Sequence, residues 1–146
     1  MKIVRAMKQV KRLQGEIKEL RKRASSCLST LDGNEFPEKF EDVLKELDEK
    51  RTKLRALKSA VMKANIQGGM FEKILEMGEL KSHIDFLREL NPKYGLDEDR
   101  YGSEPRKYVS QWTAAAKNTS VQKTQQRIND LTDELDDFNA KTDIAQ

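Results

Sequence analysis

The chain has 146 residues, of which 36% are hydrophobic, 36% charged and 6% aromatic, with a net charge of +3. Such a balance suits long helices with solvated faces and excludes a thick aromatic core, so burial is expected to be completed by homo-oligomerisation. The lone Cys27 excludes an intramolecular disulfide, and no apolar run approaches the roughly 20 residues of a membrane span.

The first expected element is a helix from residue 2 to 31. Ile3, Ala6, Val10, Leu13, Ile17, Leu20, Ala24, Cys27 and Leu31 recur at heptad spacing, which keeps one narrow apolar stripe facing a partner helix. Asp32-Gly33-Asn34 is the turn that ends it. Pro37 stands where a first helical residue is tolerated, and Phe40, Val43, Leu47, Leu54, Leu57, Val61 and Ala64 repeat the heptad, with Lys50 as the one charged entry. A short connection between helices of similar length makes residues 2–66 an antiparallel hairpin, closed by Gly68-Gly69. Met70, Ile74, Met77, Leu80, Ile84, Leu87 and Leu90 mark a third helix over 70–90, which Asn91-Pro92 ends.

Residues 91–104 are rich in turn formers and read as loop. Beyond Pro105, Tyr108, Ser110 and Trp112 alternate with Val109, Gln111 and Thr113, which suggests a short strand or hairpin near 105–117. Ala114-Ala115-Ala116 argues for helix within the same stretch. Thr119 or Ser120 caps a fourth helix over 119–141, whose stripe is Val121, Gln125, Ile128, Leu131, Leu135 and Phe138. The expected fold is thus mainly α: a long antiparallel hairpin, two further helices and, within a 91–118 loop region, a short β-strand or hairpin near 105–117, in a single domain.

The order of segments resembles the small bacterial and viral proteins labelled septicolysin-like. The resemblance lies in Leu13 to Arg23, the Gly33-Asn34-Glu35-Phe36-Pro37-Glu38 turn, Ala64-Asn65, the stretch from Ile74-Leu75 to Leu87, Arg106-Lys107-Tyr108-Val109, and Asp133-Glu134-Leu135-Asp136 ahead of Asn139. Two pairs depart from the family pattern, Gly78-Glu79 in the third helix and Asn139-Ala140 near the end. The resemblance implies a helical protein with a small β element and brings no established activity.

The residues offer little chemistry for catalysis. His83 and Cys27 are the sole members of their types, and Cys27 sits on the apolar stripe, where a thiol acts as a small hydrophobe. Neither Cys-X-X-Cys nor His-X-X-X-His occurs, and Gly68-Gly69 lacks the Lys-Ser or Lys-Thr of a phosphate loop. The expectation is a non-enzymatic protein without metal or cofactor. With no signal-like apolar segment near the start, it is expected in the cytoplasm.

Charge is unevenly distributed. Residues 1–23 hold nine Lys and Arg against Glu16 and Glu19, whereas 127–146 hold six Asp and Glu against Arg127 and Lys141. The two ends can pair with each other, or the first helix can attract an anion. Arg106, Lys107, Tyr108 and Trp112 interleave cations with aromatics, a combination that can meet phosphate and stack on a base; Tyr108 and Trp112 can equally cover the end of the bundle. Arg12 on the first helix and His83 and Arg88 on the third complete the expected ligand-binding set. Two readings follow. In one, a homo-oligomer sequesters a small anionic ligand, most simply a signalling nucleotide; in the other, a coiled-coil scaffold or adaptor recruits another protein through its helical faces. Extended nucleic acid fits poorly with the small net charge and acidic terminal helix.

Overall fold

The apolar stripe of the first 27 residues does what its spacing predicts. The computed structural model describes residues 1–97 and 104–145, with α1 over Ile3–Cys27, α2 over Phe40–Gln67, α3 over Phe71–Glu89, β1 over Gly95–Asp97, β2 over Arg106–Tyr108 and α4 over Ala114–Lys141. The fold is mainly helical, with one small antiparallel sheet. It divides into two compact units: residues 1–71 with 136–146, and residues 72–135.

In the first unit α1 and α2 form the expected antiparallel hairpin. Ile3, Ala6, Leu13, Ile17, Leu20, Ala24 and Cys27 are buried. At one end of the hairpin Leu20, Ala24, Cys27 and Val43 form a core against Phe40 and Leu47. At the other, Ile3, Ala6, Ala64 and Ile144 pack with Leu57, Ala60, Val61 and Phe138. The expected charged intruder Lys50 donates from Nζ to Glu16 Oε2 at 2.8 Å, so the partner helix neutralises it. The first amide of α1 has no side-chain cap; Ile3 N–H instead donates to Thr142 O at 2.9 Å, and Ile144 N–H donates to Met1 O at 2.9 Å. The first of these satisfies a donor that a helix start leaves free, and the two together form an antiparallel bridge between Lys2 and Asp143.

Within the hairpin two boundaries differ from expectation. α1 stops at Cys27 rather than residue 31, and Leu31 is 77% exposed. The core that holds Cys27 ends there, while Ser29 and Thr30 favour local bonds over continued helix. α2 starts at Phe40, three residues after Pro37, with Glu41 and Asp42 placed to favour its positive N-terminal end. Its other end is as expected. Gly69 N–H donates to Ile66 O and Met70 N–H to Asn65 O, at 3.1 and 2.8 Å, a Schellman closure in which Gly69 takes φ +69°.

In the second unit, α3 and the 114–135 part of α4 run antiparallel. Arg127 grips Glu76 through two bonds of 2.7 and 2.9 Å, Lys73 pairs with Glu134, and Thr132 lies 3.5 Å from Met77 Sδ. Ile84, Leu87, Ile128 and Leu131 are its buried apolar residues. Lys117 Nζ donates to Arg88 O at 2.8 Å and also to Leu90 O, which supplies the end of α3 with a cation.

The β element differs from expectation in extent. β2 covers only Arg106–Tyr108, and its partner β1 lies inside the stretch read as loop, with Gly95 opposite Tyr108, Leu96 opposite Lys107 and Asp97 opposite Arg106. Residues 98–103 of that stretch lie outside the described residues. The chain turns at Ser110, whose hydroxyl donates to Trp112 O at 2.8 Å and accepts from Trp112 N–H at 3.2 Å. Thr113 Oγ1 then accepts from Ala116 N–H at 3.0 Å. Thr113 is therefore the cap, and α4 begins at Ala114 instead of 119, as the alanine run favoured.

Candidate functional site

Six of the seven expected ligand residues belong to the second unit, and Arg12 belongs to the first. β2 gathers Arg106, Lys107 and Tyr108, and all three are exposed. Lys93 Nζ stands 5.6 Å from the centre of the Tyr108 ring, so a cation already occupies one face of that aromatic. Trp112 is half-buried beyond the Ser110 turn, outside the strand expected to carry it. On α3, His83 lies against Phe86 with ring centres 6.0 Å apart, and Arg88 occupies the last turn. Arg88 follows His83 by five positions along the helix, which turns them to different faces. Arg12 is occupied as well: its Nε donates to Glu16 Oε1 at 2.8 Å.

The hairpin holds a second group of cations that the sequence reading passed over. Between α1 and α2 runs a groove of about 810 Å³ lined by Arg21, Arg51, Arg55 and Lys58, with Gln14, Thr52 and Asp48 among them and Ile17 and Leu54 as apolar lining. The antiparallel pairing creates it. Arg21 follows Ile17 by one turn on α1, while Arg51, Arg55 and Lys58 rise along α2, so residues more than 25 apart in sequence share one wall. Arg51 NH1 pairs with Asp48 at 2.7 Å. Among the described residues, Arg21, Arg55 and Lys58 make no ion pair. A volume of this size lies within the range of small-molecule clefts, and three uncommitted cations beside aliphatic side chains suit an anion with an apolar body. The signal in the sequence was the basic i, i+4 pair Arg51 and Arg55, legible only once α1 is set opposite α2 in register.

Other carboxylates of the hairpin pair with cations outside the groove. Glu16 is held below the ordinary carboxylate range, chiefly by the hydrogen bond from Lys50 and then by that from Arg12. Arg23 holds Glu38 low in the same manner and reaches Glu46 at 3.7 Å. No described helix is long and apolar enough to cross a membrane.

A crystal structure of a functionally unknown conserved protein from Corynebacterium diphtheriae is similar to this chain, with a TM-score of 0.76 over 99% of both chains at 17% identity, which shows a shared fold. No curated protein matches the chain. Residues 11–144 match the family of unknown function DUF6847, and the chain belongs to that family.

Proposed function

We propose that this protein is a non-catalytic, homo-oligomeric binding protein that sequesters a small anionic ligand, a nucleotide being the class that fits best. The observation that carries the reading is the hairpin groove, where Arg21, Arg55 and Lys58 stand beside Ile17 and Leu54 with no ion pair among the described residues. Phosphate oxygens would take charge-assisted hydrogen bonds from these side chains, and the aliphatic lining would shelter a less polar body. Retention needs no general acid, nucleophile or metal. Oligomerisation is supported by the thin cover on α2, which is buried only at Val43, Ala64 and Asn65, and by exposed Met7, Leu44, Met62 and Ile66.

Isothermal titration of the full chain with inorganic pyrophosphate, mononucleotides and cyclic dinucleotides tests the reading. Wild-type protein should bind at least one of them, and Arg55→Glu with Lys58→Glu should weaken that binding by more than about tenfold, given about 1.5–3 kcal/mol for each hydrogen bond to a charged group. Arg106→Ala and Trp112→Ala report on the β2 cluster and should leave the affinity unchanged. A wild-type chain that binds none of these probes, or a double variant that binds equally well, overturns the reading. Native mass spectrometry should show a defined oligomer at micromolar concentration; a monomer removes that part of it.

A further inference from the structure

The charges of α2 are sorted along its length. Residues 40–49 hold five Asp and Glu against Lys45, and residues 50–67 hold six Lys and Arg without a carboxylate. The helix dipole accounts for Glu41 and Asp42 in the first turn and for nothing beyond it. α1 does not balance the basic half, because the hairpin sets residues 3–12 beside it, and they hold Arg5, Lys8, Lys11 and Arg12 with no carboxylate. The outward side of α2 is also uncovered. Val43 packs on α1, and Thr52 follows it by nine positions, about two and a half turns, so Thr52 marks the opposite side of the helix. There a shallow depression of about 790 Å³ follows Leu44, Asp48, Thr52 and Ala56, all exposed. Leu44 and Met62, about five whole turns apart, share one edge of it, and both are exposed. Among the described residues, Glu41, Glu49, Lys53 and Lys63 make no ion pair.

We infer that a second copy of this chain docks on the outward side of α2, helix against helix in opposite directions, with the two-fold axis at Thr52. The inference rests on the homo-oligomeric part of the proposed function and adds to it the face and the register. A two-fold axis places each residue opposite the one equally far beyond the axis. Glu41 then meets the partner's Lys63, Glu49 the partner's Lys53 and Leu44 the partner's Met62, the midpoints of the three pairs being residues 52, 51 and 53. Symmetry makes each pair twice. The apolar pairs supply burial, and the ion pairs, worth little by themselves in water, fix direction and register. A parallel arrangement would set acid on acid and base on base. Thr52, Ala56 and Ser59 are small enough to let the two helix axes approach to about 8–10 Å. One contact opposes the pairing: Arg51 comes near the partner's Arg55, and the 2.7 Å bond from Arg51 to Asp48 offsets part of that repulsion. A polyanion suits this side less well, because the acidic half would repel it.

Sedimentation velocity of the full chain tests the face. The wild type should be a dimer, or an even multiple of one, at micromolar concentration. Glu41→Lys with Glu49→Lys, and separately Lys53→Glu with Lys63→Glu, should each weaken self-association by more than about tenfold. Mixing the two double variants should restore a one-to-one complex, because every reversed pair is then complementary. Thr52→Cys, on the axis, should cross-link two chains under mild oxidation, whereas Ser59→Cys, seven positions away, should not; the native Cys27 is buried. An assembly unmoved by the charge reversals, a mixture whose variants stay apart, or a Ser59→Cys chain that cross-links as well as Thr52→Cys overturns this face and register while homo-oligomerisation stands. A wild-type monomer overturns both, and anion binding is then judged by its own titration.

Discussion

Gly68 shows how closely the first unit is fitted at a single residue. Its φ of −84° is open to any L residue, so conformation does not require glycine there. Space does: a Cβ at this position would stand 2.3 Å from Cε2 and Cζ of Phe138. Phe138 packs on the core formed by Ile3, Ala6, Ala64 and Ile144, which restricts its retreat. Gly68→Ala should therefore lower stability by about 1–3 kcal/mol, as overpacking does. Chemical denaturation checks this, and Phe138→Leu in the same chain should return part of the loss; simple additivity of the two changes would show that the contact is not the cause. Its neighbour Gly69 is required for the opposite reason, since φ +69° is a backbone region that side chains disfavour.

At the scale of elements, the two units have separate buried sets. Leu131, 1% exposed, is among the most buried side chains, and Leu131→Ala should cost about 2–5 kcal/mol in a core of this kind. Hydrogen exchange should show the loss as faster opening of the 72–135 amides with α1 less affected; equal acceleration throughout would mean that the units open as one. The helices were legible because a heptad stripe survives whatever the partner: Leu13, Ile17, Leu20 and Leu87 are buried where periodicity placed them. Their ends were harder to read. Leu31 continues the spacing of α1, yet nothing faces it, and the Thr113 cap preceded an alanine run whose helix propensity competed with an alternating pattern. β1 was invisible because a strand of three residues that begins at Gly95, at φ +88°, is too short to carry a period.

For the whole molecule, charge is organised as local pairs. Glu16, Glu38, Glu76 and Asp143 all lie below their ordinary carboxylate values, lowered by hydrogen bonds from Lys50, Arg23, Arg127 and Lys2 respectively. Each remains ionised in the folded chain at a pH where the unfolded chain takes up a proton. Their contribution is thus complete above the unfolded carboxylate range and is lost as pH falls through the lower folded values. The melting temperature should hold near neutrality and decline from about pH 5 downward, and Glu16→Gln with Glu76→Gln should flatten the decline. An unchanged acid slope in that variant would assign the effect elsewhere. The opposite charge of the two ends was legible in sequence; one place where it is used is Lys2 with Asp143, at 2.7 Å. The basic groove was not legible, because Arg21 and Arg55 become neighbours only through the hairpin register.

The first unit also borrows from both ends of the chain: Ile3 and Ala6 share a core with Phe138 and Ile144. During synthesis the ribosome releases residues 72–135 as one continuous stretch, complete before the last residues emerge. The hairpin core at Leu20, Ala24 and Val43 can assemble early from nearby sequence, but the opposite end must wait for residue 144. A nascent chain stalled before Phe138 would therefore carry a half-zipped hairpin with Ile3 and Ala6 still uncovered, and that end of the hairpin would close only when Phe138 and Ile144 reach it.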